Sequence, residues 1–373
     1  MIMRAEEPSP VKRHSGKGHA VTMREVAKSS GFSPATVSIV LNNAPLARYI
    51  ASATKKRIEE TAKKLGYRPN AMARFLRSKR SHSVGVMLFD VTDPFCAPIL
   101  RGIENALYQS SYVPIFADAH NQKSRFEHCL EMLLEHHVEA LIVVANWLFV
   151  DIQLLADLSK RNITAATICW EVPGDSVSSV IVDNEAGGRL ALEHLYHLGH
   201  RKIAFIRGPK MLIDSAPRWK GTQKFAHSVG LEIDPSLVMQ LPDVWDPNSG
   251  FEGGYRLTEE LLQRKKKFTA LMAFDDLTAM GTIRALTKAG MKVPEHCSVV
   301  GFDDVPLSAM AAPSLTTIRQ PLEAMGNLAV NTVMEGINAG LEKRDWSISR
   351  HKVSPELVIR DSTRAAALTG SND

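Results

Sequence analysis

The stretch VTMREVAKSSGFSPATVSIVLNN, residues 21–43, decides the fold of the N-terminal part of this 373-residue chain. Thr22 opens a capping box and predicts a helix that ends before Gly31, where a left-handed C-cap costs glycine little. Ser33 followed by Pro34 predicts a second helix, because proline at the first helical position loses no hydrogen bond. Only three residues separate the two helices. Such a tight connection is typical of a helix-turn-helix.

Basic residues are concentrated at the same end of the chain. Residues 1–80 contain 17 Lys or Arg, five Glu and no Asp, a net charge of +12, whereas the rest of the chain carries −7. A basic head on an acidic body is the charge distribution of a protein that presents one end to phosphate groups. A solvated basic tail without function is the alternative that charge leaves open. Residues 1–20 are predicted to be a disordered basic tail, and a third helix at 52–65 completes an all-α head at 21–69.

Several classes of protein are excluded at this stage. No apolar run is long enough to span a bilayer and no signal peptide opens the chain, so we expect a cytoplasmic protein without a membrane partner. The four cysteines form no CxxC pair and are predicted to be reduced thiols. No phosphate-binding loop, dinucleotide fingerprint or nucleophile elbow is present, so no enzyme, cofactor or metal site is predicted. The three-residue spacing of His194, His197 and His200 leaves a metal site as an alternative to structural roles.

From residue 82 to about residue 360 the pattern changes. Short β-branched runs alternate with amphipathic helical segments, and the series occurs twice, which predicts two doubly wound parallel-sheet lobes. The first lobe is predicted at 82–182 with 314–343, and the second at 183–313 with 344–360. Residues 361–373 are predicted to be a tail.

Ligands in open α/β sheets bind beyond the carboxyl ends of the strands. Two Asp-Asp pairs, 275–276 and 303–304, lie at such ends. Paired carboxylates could serve acid–base catalysis, but adjacent side chains point in different directions and no second catalytic element accompanies them. The second member of each pair, Asp276 and Asp304, is predicted to cap a helix.

Segments 21–27, 31–38 and 65–70 closely resemble the head of the lactose-repressor (LacI/GalR) family, and the resemblance continues to about residue 360. It implies a DNA-binding transcription regulator, a repressor, with a periplasmic-binding-protein-like sensor. Its operator affinity would be controlled by a small polar metabolite, with sugars among the candidates. The implied partners are a near-palindromic double-stranded DNA operator and a second copy of the chain, forming a homodimer.

Two other binding classes are alternatives to this one. A solute-binding protein shares the two-lobed body but has no use for a helix-turn-helix. An architectural DNA-bending protein would leave the long cleft-bearing body unexplained.

The resemblance assigns two groups of DNA contacts in the head. Phosphate contacts are implied for Ser33, Thr36, Ser38 and Asn42, which fix register without reading sequence. Base contacts are implied for Pro34, Ala35 and Ile39, none of which donates a hydrogen bond to a base. Packing of Ile39 inside the head is the alternative. Further DNA contacts are implied for Thr22, Tyr67, Asn70, Ala73 and Leu76.

Residues 70–81 are predicted to form a hinge helix and linker. The predicted helix itself, residues 70–78, has nine residues, which is too few for a helix that is stable alone in water. It would therefore need DNA to order it. The resemblance places Leu76 as a wedge in the minor groove, where unstacking is repaid by the contacts of bent DNA. A plain basic linker is the alternative.

For the sensor, the resemblance implies effector contacts at nine positions, Phe89, Phe95, Cys96, Cys169, Arg218, Trp245, Asp275, Asp303 and Leu322. Cys169 and Asp275 depart from the residues that relatives commonly carry, so the ligand of a relative does not transfer directly. Arg218 would donate a fork of hydrogen bonds and the carboxylates would accept them.

Overall fold

The computed structural model describes residues 21–42, 44–68, 80–144, 158, 163–243 and 249–366. The chain divides into two compact units, Met1–Ser81 and His82–Asp373. None of the described helices is long and apolar enough to cross a membrane.

The described part of the head has three α-helices, α1 (Met23–Ser30), α2 (Pro34–Leu41) and α3 (Ser52–Leu65), and a 3-10 turn at Pro45–Tyr49. The predicted capping box is present, because Thr22 Oγ1 accepts from Glu25 N at 3.4 Å and Glu25 Oε2 accepts from Thr22 N at 2.6 Å. Gly31 ends α1 with a φ of +81°. The helices share a small core formed by Val26, Ala27, Val37, Val40, Ile58 and Ala62.

The first lobe of the sensor (the N-lobe) has a six-stranded sheet. Its strands are β1 (Ser83–Leu88), β2 (Val113–Asp118), β3 (Ala140–Val144), β4 (Thr164–Ile168), β5 (Ser178–Val182) and β11 (Arg350–Val353). They are ordered β11-β5-β4-β3-β1-β2, and every neighbouring pair is parallel. Helices α4 (Cys96–Gln109) and α11 (Leu322–Glu342) cover one face and α5 (Lys123–Glu135) covers the other. Burial on both faces explains why β1 and β3 are continuous apolar runs.

The second lobe (the C-lobe) repeats this arrangement on a smaller sheet. Its strands are β6 (Ile203–Arg207), β7 (Val238–Gln240), β8 (Ala270–Met272) and β9 (Ser298–Val300), in the parallel order β7-β6-β8-β9. Helices α6 (Asn184–His197) and α7 (Ser215–Ser228) cover one face, and α8 (Ser249–Gln263) and α9 (Asp276–Lys288) cover the other. A short helix, α10 (Pro306–Met310), follows β9.

The chain returns between the lobes at two points that differ from the predicted boundaries of 314 and 344. Strand β10 (Thr317–Arg319) pairs with β12 (Glu356–Val358), and Thr316 bridges to Val300 in the C-lobe sheet. Strand β11 instead pairs with β5 of the N-lobe. The crossings therefore lie between β10 and α11 and between β11 and β12. β11 is the edge sequence RHKV, whose side chains alternate between exposed and half-buried, so it carries no core pattern that assigns it to a lobe.

Three pairs of neighbouring helices touch at glycines. A Cβ built on Gly326 of α11 would lie 2.3 Å from the carbonyl oxygen of Ile99 on α4. The α6–α7 pair meets in the same way at Gly188 and Gly221, and the α8–α9 pair at Gly254 and Gly281. The obstructing atoms are backbone atoms, which cannot rotate away, so these helix spacings require glycine.

The substitutions Gly326→Ala and Gly340→Ala, in the same helix, are expected to change stability in opposite directions. The first forces α11 away from α4 and lowers the free energy of unfolding by about 3 kcal/mol. The second meets no atom within 4 Å and raises it by about 0.5 kcal/mol, because alanine has the higher helix propensity. Urea unfolding of the full chain measures both. Equal effects of the two substitutions would contradict the close crossing at Gly326.

Candidate operator-contacting face and effector cleft

The start of α2 presents the residues that were predicted to meet DNA. Ser33, Pro34 and Ala35 are exposed, and Thr36, Ser38, Ile39 and Asn42 are half-buried. Proline fixes the first turn of the helix and Ser33 caps it, with Ser33 Oγ accepting from Thr36 N at 3.1 Å. The exposed end therefore has a defined backbone on which an operator contact can be built.

The position of Ile39 bears on whether this residue contacts bases or packs inside the head. Its neighbours Val37 and Val40 belong to the head core, whereas Ile39 does not belong to that cluster among the described residues. A half-buried isoleucine beside the core, and not within it, favours the base-contacting role over the packing role.

Several of the predicted phosphate contacts already have partners within the head. Ser33 Oγ and Thr36 Oγ1 are 2.9 Å apart, and Asn42 Nδ2 donates to Ser38 O at 2.7 Å. Thr22 Oγ1 donates to Glu25 Oε2 at 2.8 Å. Binding to phosphate would share or replace these hydrogen bonds. Tyr67 packs against the head core, and Asn70, Ala73 and Leu76 lie outside the described residues.

In the sensor, the N-lobe side of the predicted effector site is apolar. Phe89, Phe95, Cys96, Cys169 and Leu322 all belong to one buried cluster. They come from the carboxyl ends of β1 and β4 and from the starts of α4 and α11. Two residues of the C-lobe, Met211 and Leu212, pack against this same cluster from the loop between β6 and α7. The cleft is thus closed over its apolar wall.

Arg218 is the centre of the C-lobe side and is 4% exposed. Its guanidinium donates to Asn184 Oδ1 at 2.9 and 3.1 Å and to Phe274 O at 2.6 Å. It stacks on the ring of Phe302, 3.5 Å from the centroid, and lies 3.6 Å from Asp214 Oδ2. These three hydrogen bonds use three of its five N–H groups, so two remain for a ligand.

The two carboxylates predicted to contact the effector, Asp275 and Asp303, are oriented by different hydrogen bonds. Asp275 caps α9, with Oδ1 accepting from Thr278 N at 2.7 Å. Asp303 Oδ1 accepts from Gln320 Nε2 at 2.6 Å, and burial is the main reason why the pKa of Asp303 lies well above its ordinary value. Each carboxyl keeps its second oxygen without a donor among the described residues.

The prediction that Asp276 and Asp304 cap helices was wrong. The cap of α9 is Asp275, one residue earlier, and Asp276 is a buried acceptor for Val305 N at 3.0 Å and Ser308 Oγ at 2.6 Å. Asp304 pairs with Arg319 and Arg360 at 2.7 and 2.6 Å. The Asp-Asp dipeptide gives no sign of which member begins the helix, because either residue is a good N-cap.

Backbone strain coincides with two of the predicted effector positions. Cys169 has a φ of +72° and Asp303 has a φ of +113°, backbone values that residues other than glycine rarely adopt. Strain of this kind costs about 1–3 kcal/mol and is concentrated at ligand sites. Burial keeps the thiol pKa of Cys169 well above its ordinary value, and nearby Asp214 and Asp303 raise it further. Cys169 belongs to the N-lobe cluster on which Met211 and Leu212 of the C-lobe pack, and these two residues closely precede Asp214 in the chain.

Three polar residues of the cleft, Asp93, Asp214 and Gln320, are not among the effector contacts predicted from the sequence. Asp214 lies four residues before Arg218, the spacing of an ion pair, and this signal was available. Gln320 precedes α11 and is recognisable only once Asp303 is beside it. Asp93 lies just before α4 and is not its N-cap residue; its Oδ1 accepts a hydrogen bond from Phe95 N at 2.9 Å. Trp245 lies outside the described residues.

The histidine series has structural partners. His200 contacts Thr269, Ser298 and Arg364 O, and His194 contacts Thr363. Burial lowers the pKa of both imidazoles. Elsewhere in the described residues, Asp90, Asp118 and His120 are close enough to share a metal ion. The ordinary ion pair of His120 Nδ1 with Asp90 Oδ2, at 3.7 Å, also explains their proximity.

Comparison with known proteins gives matches to both parts of the chain. The family profile described as "Bacterial regulatory proteins, lacI family" matches residues 22–70, and that of the "Periplasmic binding protein-like domain" matches residues 192–363. The transcriptional repressor PurR of Haemophilus influenzae (strain PittEE) is 32% identical over 92% of this chain and 99% of its own length. PurR of Aliivibrio fischeri (strain ATCC 700601 / ES114) is also 32% identical, over 91% of this chain and 98% of its own length.

Solved structures agree with these sequence matches. A lac repressor dimer bound to operator and the anti-inducer ONPF is 27% identical and aligns with a TM-score of 0.76, over 93% of this chain and all of that one. A complex of the regulator CelR with cellobiose is also 27% identical, with a TM-score of 0.67 over 92% of this chain and 99% of that one. The matches run nearly end to end in both directions, and the chain belongs to the lacI family of bacterial regulatory proteins.

Proposed function

We propose that this regulator is a repressor whose affinity for its operator is set by a small polar metabolite bound between the two lobes. The observation that carries the proposal is the buried Arg218 of the C-lobe, paired with Asp214, beside a loop whose Met211 and Leu212 pack on the apolar N-lobe cluster that contains Cys169. A few polar groups beside an apolar wall are the arrangement of a small-molecule site. The named relatives, a repressor called PurR, a CelR–cellobiose complex and a lac repressor with ONPF, support a polar ligand.

The proposed DNA-binding form is a homodimer on a near-palindromic operator, as in the lac repressor complex. Residues 70–81 would act as the hinge, with Leu76 as the wedge, and the effector would bias the pairing of two hinges. Such coupling is of the order of 1–3 kcal/mol. We infer that the protein works in the cytoplasm on chromosomal DNA. Its relatives are regulators, so we assign the cleft to ligand binding and not to catalysis.

The reading face is tested with an operator selected from random duplex DNA by the full chain. Ile39→Ala is expected to weaken binding to that operator about tenfold, because it removes apolar contacts in the major groove. The thermal midpoint of the head should stay nearly unchanged. Titration of labelled operator at fixed salt measures the affinity.

Val40→Ala is the control for the packing alternative. Val40 is 7% exposed and belongs to the head core, so its truncation should lower the thermal midpoint together with the affinity. If Ile39→Ala behaves like Val40→Ala, isoleucine packs in the head and the base-reading role is wrong.

A further inference from the structure

Carboxyl groups outnumber cations in the effector cleft. Asp93, Asp214, Asp275 and Asp303 contribute four carboxyls, whereas Arg218 is the described cation that contacts one of them. Arg207 lines the same C-lobe pocket as Arg218 but stacks on Trp219, 4.8 Å from the ring centroid. The single positive charge of a guanidinium neutralises the charge of one carboxylate. Burial raises the pKa of Asp93 to about 7 and of Asp214 to about 6, and it holds the pKa of Asp303 well above its ordinary value. A further cation in the site would favour the ionised forms of these carboxyls.

The hydrogen bonds within the cleft leave several oxygens unused. Asp93, Asp275 and Asp303 each bind a donor through Oδ1 only, namely Phe95 N, Thr278 N and Gln320 Nε2. None of the described residues donates to their Oδ2 atoms. Three carboxyl oxygens can therefore accept hydrogen bonds from donors that the described part of the protein does not supply.

Two further oxygens are both buried and unpartnered. Asp214 Oδ1 and Gln320 Oε1 have no hydrogen-bond partner in the described structure, and their residues are 6% and 4% exposed. A buried polar atom without a partner is destabilising, so folded proteins rarely retain one without use. Gln320 donates its amide to Asp303, which leaves its oxygen at the same carboxylate cluster.

Arg218 cannot satisfy these atoms. Asn184, Phe274 and the ring of Phe302 fix its guanidinium, and it is 3.6 Å from Asp214 through Oδ2, not Oδ1. Its two unused N–H groups are too few for five oxygens.

We propose that the effector carries a cationic nitrogen, an ammonium or amidinium group, with further N–H or O–H donors that meet these oxygens. This deepens the proposed function and rests on it. A neutral sugar would supply donors but no positive charge to stabilise the ionised carboxylates.

A cation that contacts carboxyls of both lobes would bridge the lobes. Asp93 belongs to the N-lobe and Asp275 to the C-lobe, and repulsion from Asp275 adds to the main effect of burial in raising the pKa of Asp93 to about 7. A cation between the two carboxylates would replace repulsion across the cleft by attraction from both sides. Binding would thereby hold the lobes together, which is the change that the proposed hinge at 70–81 would have to sense.

The test uses a small-molecule extract of the cells that produce the protein, passed over a sulfonate cation exchanger at pH 7. The retained and unretained fractions are each added to the full chain, and the thermal midpoint and the operator affinity are measured. We expect only the retained fraction to raise the midpoint. A shift caused only by the unretained fraction would overturn the cationic ligand.

Asp275→Asn separates the charge from the fold, because asparagine is also a good N-cap for α9. It should require at least about tenfold more of the retained fraction for the same shift, since a hydrogen bond to a charged group is lost. The control Asp175→Asn removes an exposed carboxylate of the N-lobe and should respond like the native chain. Equal titrations for all three proteins would overturn the role of Asp275.

The two proposals fail in different ways. If the retained fraction shifts the midpoint but leaves operator affinity unchanged, the cationic ligand stands and the regulatory role fails. If neither fraction has any effect on midpoint or affinity, both are overturned, because the cleft then senses nothing in the cell.

Discussion

Arg218→Ala is expected to abolish the response of operator binding to the effector and to lower the free energy of unfolding of the sensor by about 3–5 kcal/mol. The sequence alone predicts only the first effect. The second follows because the guanidinium holds Asn184 and Phe274 O and lies beside the buried Asp214 carboxyl. Removing it leaves that carboxyl in an apolar site with no cation among the described residues.

Two control variants distinguish ligand contact from support of the fold. Arg218→Lys keeps a positive charge near Asp214 but cannot form the two-pronged contact with Asn184 or stack as a plane on Phe302. It should unfold nearer to the native midpoint and still respond weakly. Arg189→Ala removes a half-exposed arginine paired with Glu193 on α6, so it should change stability by less than about 1 kcal/mol.

Urea unfolding and operator titration, with and without the active metabolite fraction, measure both effects. Because the head is a separate compact unit, Arg218→Ala should still bind operator in the absence of effector. If Arg218→Ala responds to effector as the native chain does, Arg218 does not contact the effector, whatever the effect of the substitution on stability.

The head shows how far local sequence signals reach. The capping box at Thr22, proline at the start of α2 and Gly31 act within a few residues, and each predicted feature is present. Helix α3 has the predicted bounds, Ser52–Leu65. Local signals suffice here because the head is small and each signal acts within one helix or at its end.

In the sensor, the sequence predicts which segments alternate but not the interactions that bring distant segments together. Strand β11 joins β5, more than 160 residues earlier, through backbone hydrogen bonds that any side chains would permit. Asp214 and Gln320 become cleft residues only when the loop after β6 and the start of α11 meet Cys169 and Asp303. Such roles depend on long-range packing, which periodicity does not encode.

Asp276 illustrates the same limit within a dipeptide. In sequence it and Asp275 are equivalent, yet Asp275 accepts from the start of α9 while Asp276 is fully buried. The φ and ψ at the helix boundary decide which carboxyl faces the cleft and which faces the core. A shift of one residue in the helix start would exchange their roles.

Asp276→Ala is expected to lower the free energy of unfolding by about 4 kcal/mol. The substitution strands three buried donors, the backbone N–H of Val305 and the hydroxyls of Ser308 and Thr317, at about 1–3 kcal/mol each. These donors belong to the loop after β9, to α10 and to β10, which lie between or next to Asp303 and Gln320 in the chain. The loss of the network should therefore also weaken the response to effector, although Asp276 does not line the cleft.

Asp276→Asn gives the sharper test, because it keeps one acceptor oxygen and cannot ionise. Burial is the main cause that raises the pKa of Asp276 to about 7 in the folded protein, against an ordinary value of 3.8. A folded-state pKa above the unfolded value means that the native state binds the extra proton, so stability falls as the pH rises from about 4 to about 7. The native chain should therefore exceed Asp276→Asn in stability most clearly near pH 5 and least near pH 8, as measured by urea unfolding at each pH. A difference that does not vary with pH would mean that its three donors keep Asp276 ionised throughout, and that hydrogen bonding outweighs burial at this carboxyl.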